Sequence, residues 1–85
     1  MPGALVELLR HAPLSQGKVG FAWRAAVGPA VQKVTAVHLE GRMLLVDAAS
    51  KAWAREVTRS SPTILRRLQT LLGTETVSSI VVREP

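Results

Sequence analysis

Eighty-five residues with no cysteine and only three large aromatic side chains, Phe21, Trp23 and Trp53, suit a single domain whose core is mainly aliphatic. The missing cysteine excludes disulfides and thiolate metal sites and points to a reducing compartment. Eleven Lys and Arg against six Asp and Glu leave a net charge of +5, which favours polyanions such as nucleic acid, although solubility or an acidic protein partner would account for it too.

In chain order, Leu5, Leu8, Leu9 and Ala12 follow i, i+3, i+4, i+7 spacing and predict a helix over residues 3–12 that Pro13 stops. It is read as a helix covering the core rather than one displayed to a partner. Met1-Pro2-Gly3-Ala4 carries no basic leader, and no run approaches the roughly 20 apolar residues of a membrane span, so a cytoplasmic protein without membrane contact is expected. From Ser15 a second helix holds the stripe Val19, Trp23, Ala26, Val27, Ala30, Val31 and Val34, with a bend at Gly28-Pro29. Residues 1–13 thus form an N-terminal helix and 14–85 one globular unit.

Thr35 to Glu40, where Val37 and Leu39 alternate with Ala36, His38 and Glu40, and Met43 to Ala48 read as the strands of a hairpin turning at Gly41-Arg42, where a glycine at the first central position permits a tight primed turn. His38 falls on the wetter strand face, with no second ligand at metal spacing. Ser50 is placed to cap a helix in which Trp53 and Val57 share one face and Lys51, Arg55 and Arg59 the opposite one. Arg59-Ser60-Ser61-Pro62-Thr63 reads as a helix boundary, and Ile64, Leu65, Leu68, Leu71 and Leu72 as the stripe of a new helix ended by Gly73, with Arg66 and Arg67 projecting the other way. Thr76 to Arg83 supplies a β-branched third strand.

The order α-α-β-β-α-α-β predicts a two-layer α+β domain, a three-stranded sheet with helices on one face, whose later part has the element order of the second type of KH domain. Trp23, Trp53, Leu65 and Leu68 are expected in the core, in preference to the indoles serving as stacking platforms for bases. Arg42, Lys51, Arg55, Arg59, Arg66 and Arg67 form a candidate nucleic-acid surface that would grip phosphates without reading sequence, against the plainer reading of a solvated helix face. Asp47 is the only Asp, the serines suit capping positions, and no nucleophile elbow, phosphate loop or paired carboxylates occur. Enzyme activity, cofactor, metal and small-molecule substrate are therefore not expected.

Taken as a set, Trp23, Val27-Gly28-Pro29, the hairpin Leu39-Glu40-Gly41-Arg42-Met43-Leu44-Leu45-Val46, Ser50-Lys51-Ala52-Trp53-Ala54-Arg55-Glu56-Val57, Ile64-Leu65 through Leu71-Leu72-Gly73, and Ile80-Val81-Val82-Arg83 resemble the DciA family of bacterial replicative-helicase loaders. The resemblance implies a KH-like domain that contacts the replicative helicase and single-stranded DNA and assists helicase loading at origins as a noncatalytic adaptor. The Gly-x-x-Gly phosphate clamp of KH domains has no counterpart, since the equivalent joint reads Arg59-Ser60-Ser61-Pro62-Thr63. An RNA-binding KH-like module and a pure protein-interaction domain remain the alternatives.

Overall fold

A computed structural model of the protein describes residues 15–85; the helix expected over residues 3–12 lies outside the described residues. Helix α1, Gln16–Val27, starts where the extended Ser15 turns its Oγ to accept the N–H of Lys18 at 3.1 Å. It buries Val19, Ala22, Trp23 and Ala26, the i, i+3, i+4, i+7 face of the sequence pattern. The Gln16 side-chain amide donates to the Val37 carbonyl at 2.7 Å and fastens the start of the helix to the first strand.

The expected bend at Gly28-Pro29 is instead a break. Gly28 adopts φ 86°, outside any helical region, and its N–H closes α1 onto the Arg24 carbonyl at 2.8 Å. Pro29, which has no N–H to donate, then opens a separate short helix α2, Pro29–Gln32. Ala30, assigned to the apolar stripe by periodicity, is consequently exposed.

Strands β1, Thr35–Glu40, and β2, Met43–Ala48, pair antiparallel with Glu40 opposite Met43, which leaves a two-residue turn. Gly41 at φ 59° is the only positive-φ residue of that turn, the pattern of a type II′ hairpin, whose twist suits the flanking strands. Strand β3, Ser79–Arg83, begins three residues later than the sequence suggests and runs parallel to β2, giving the sheet order β1-β2-β3. A parallel neighbour needs a long crossover, and the remaining helix provides it.

That helix, α3, is one uninterrupted element, Lys51–Leu72, where the sequence reading placed two. Pro62 lies inside it and cannot donate to the Thr58 carbonyl. The hydroxyl of Ser61 donates to that carbonyl instead, at 2.9 Å, so the missing N–H leaves no orphan acceptor and the helix continues. Its buried face, Ala54, Val57, Ile64, Leu68, Leu71 and Leu72, runs through the proline without a change of phase. Burial along one stripe outweighs the local stop signal of Ser-Ser-Pro.

The two-layer α+β architecture is therefore as expected, with helices packed on the sheet face carrying Val37, Leu39, Leu44, Val46, Ile80 and Val82. Trp23, 1% exposed, and Leu68, fully buried, sit at the centre. Leu65 is partly buried against this cluster. Trp53 departs from expectation: it is only partly buried and stands outside the core cluster, because its position one residue before Ala54 puts it at the edge of the buried arc of α3.

Candidate nucleic-acid interface

The candidate surface is built on α3. Ser50, extended, accepts the Trp53 N–H on its Oγ at 3.2 Å and so sets where the helix begins and which residues face outward. At 100° per residue, Lys51, Arg55, Arg59 and Arg66 fall within about 80° of arc, opposite the buried face, along about 22 Å of helix. All four are exposed. The continuity of α3 through Pro62 brings Arg66 into line with the other three; a break there would have put it on a separate axis. The acid on this part of the helix is Glu56, whose Oε1 lies 3.1 Å from Arg59, and both side chains are more than half exposed, so the pair neutralises little.

Two of the six predicted cations stand elsewhere. Arg67 lies 100° round the helix from Arg66 and donates from Nη1 to the Ala26 carbonyl at 2.8 Å, satisfying one of the last carbonyls of α1 with a cation at the favourable end of the helix dipole. It joins α3 to α1 and is withdrawn from the stripe. Arg42, at the hairpin tip, stands beside the far end of α3: its Nη2 is 3.5 Å from the Thr74 carbonyl, and its own carbonyl accepts the Ser78 N–H at 2.8 Å. A stripe of four cations, flanked by one bracing arginine and one hairpin arginine, replaces the single patch of six.

Between α1, α2 and α3 runs a groove of about 140 Å³ lined by Val27, Val31, Trp53, Val57 and Ile64, with Arg67 also on its wall. Trp53 here is a groove wall. It neither fills the core nor stands free as a platform. On the opposite face of the sheet, Arg83 clamps Asp47 with two hydrogen bonds, Nε to Oδ1 at 2.7 Å and Nη2 to Oδ2 at 2.8 Å, across the register that pairs these residues in β2 and β3. The guanidinium holds the Asp47 carboxyl below its ordinary pKa. His38 Nε2 lies 3.5 Å from Glu40 Oε2, and among the described residues no three His, Asp or Glu side chains gather as metal ligands. Among the described residues no helix is long and apolar enough to cross a membrane.

Sequence reading overlooked Phe21 and Arg24. Phe21 is 48% exposed, the most open of the large apolar side chains among the described residues, and Arg24 lies one turn further on. The signal was present: Phe21 falls outside the Val19, Trp23, Ala26 stripe that defines the buried side of α1.

A family described as "Dna[CI] antecedent, DciA" matches residues 3–82. No curated protein and no solved structure matches the chain.

Proposed function

Because the chain belongs to the DciA family, whose members have a helicase-loader role in DNA replication, we propose that this domain acts as a noncatalytic adaptor that contacts the replicative helicase and holds single-stranded DNA on the outer face of α3. The observation that carries the DNA half of this reading is the alignment of Lys51, Arg55, Arg59 and Arg66 on one uninterrupted helix. Four flexible cations on a convex helix face suit phosphates and offer no geometry for reading bases, as expected of a factor that acts wherever a strand is open. The family implies the helicase as partner. The continuous α3 also favours this reading over an RNA-binding KH module: the stretch where a Gly-x-x-Gly clamp would lie is helical through Arg59 to Thr63 and presents no loop to enclose a backbone.

Capture of the replicative helicase on the immobilised protein, with and without a single-stranded oligonucleotide, tests the reading. Helicase retained in both conditions, and DNA retained by the protein without helicase, are the expected results. A protein that retains DNA and no helicase, or helicase and no DNA, removes the corresponding half.

A further inference from the structure

The fold leaves one aromatic ring in water. Phe21 sits on the outer side of α1, roughly opposite the arc that buries Val19, Ala22, Trp23 and Ala26. Its neighbours one turn away are Gly17 and Lys18 before it and Arg24 and Ala25 after it, with Gly20 adjacent. The ring is thus bordered by the small residues Gly17, Gly20 and Ala25 and by the two cations of α1, which contains no acid. Leaving a phenyl ring half in water forgoes part of the burial that would stabilise the fold. Gly17 and Gly20 add a cost of their own in a helix, yet a Cβ would meet only the Ser15 hydroxyl at 3.9 Å in the first case and nothing within 4 Å in the second, so the fold needs neither.

From this arrangement we infer that Phe21 is a stacking platform for a base of single-stranded DNA, with Arg24 taking an adjacent phosphate. The inference rests on the reading of α3 as a phosphate-gripping face and extends it. α1 packs beside α3 through the Arg67–Ala26 bond, and both the ring and the cation stripe lie outside the faces that these two helices bury. The chemistry is complementary. The stripe holds phosphates and has no aromatic among its four residues, whereas Phe21 offers a π-face that any base can use and that binds without sequence preference. Charge suits a polyanion: Lys18 and Arg24 lie one turn to either side of Phe21, and α1 carries no acid to offset them.

The test compares binding of an oligo-dT strand with binding of an abasic deoxyribose-phosphate strand of the same length, for the parent protein and for Phe21→Ala, Phe21→Leu and Phe21→Trp. The exposed position leaves folding intact, and circular dichroism checks it. The expected result is that the parent prefers the strand with bases on the order of ten-fold, that Phe21→Ala and Phe21→Leu lose this preference, and that Phe21→Trp keeps it and shows indole quenching on binding. Salt dependence stays unchanged in Phe21→Ala. Leu restoring the parent's affinity, or Ala retaining it, overturns the inference while leaving the phosphate-gripping reading of α3 in place. Phe21→Ala that keeps DNA affinity and loses helicase makes the ring a protein contact, which also overturns it. A parent that binds neither strand removes the DNA reading and this inference together.

Discussion

The indole N–H of Trp23 donates to Thr35 Oγ1 at 2.9 Å, and the same hydroxyl donates onward to the Val31 carbonyl at 2.8 Å. One threonine at the start of β1 therefore satisfies the polar atom of the most buried aromatic ring and ties α2 to α1 and the sheet. Thr35→Val keeps the shape and leaves the buried indole donor without a partner, at a cost of about 1–3 kcal/mol. Thr35→Ser keeps the hydroxyl and should recover most of it. Urea denaturation measures both; a valine variant as stable as the parent would show that the bond contributes nothing.

A proline in mid-helix makes a second prediction. Pro62→Ala restores an N–H for the Thr58 carbonyl and removes a ring from the helix interior, so it should raise stability by about 1 kcal/mol or more. Ser61→Ala alone should lower it by about 0.5 kcal/mol, because the hydroxyl on that carbonyl is lost. In the Pro62→Ala background the serine change should cost nothing, since the backbone then supplies the donor. Equal effects of Ser61→Ala in both backgrounds would separate the hydroxyl from the proline.

The hairpin, its Gly41 turn, the Ser15 and Ser50 caps and the end of α3 at Gly73 follow from short-range chemistry, and each stands where the residues place it. Ser-Ser-Pro-Thr was misread because its stop signal is local, whereas the Val57, Ile64, Leu68 stripe passes through it in phase and buries the helix against the sheet. At Gly28-Pro29 the weighting reverses: a periodic stripe suggested continuity, and a glycine at φ 86° ended the helix. Of the candidate site, the alignment of Lys51, Arg55 and Arg59 was legible from four-residue spacing, whereas that of Arg66 depends on α3 continuing through Pro62. The positions of Arg67 and Arg42 depend on what α1 and the hairpin bring alongside, which no pattern within one element reports.

The Asp47–Arg83 clamp predicts how stability responds to acid. Hydrogen bonding to Arg83 lowers the folded-state pKa of Asp47, so its contribution is fully present above the unfolded value, near pH 4, and is lost as pH falls through the depressed folded value. Asp47→Asn should therefore flatten the acid limb of the stability curve below about pH 4 and leave its slope near neutrality as in the parent. Thermal midpoints collected from pH 2 to 7 read this directly. An unchanged acid limb would mean that the clamp adds nothing to the fold.

The proposed role of the outer face of α3 is to hold phosphates. Its most direct measurement is the salt dependence of single-stranded DNA affinity for the parent, Arg55→Gln/Arg59→Gln and Arg67→Gln. Two cations removed from the stripe should weaken binding and reduce the slope of log K against log salt by about 1.4, while Arg67→Gln, which loses the bond to the Ala26 carbonyl, should lower stability and leave the slope unchanged. A double variant whose slope equals that of the parent would contradict the claim.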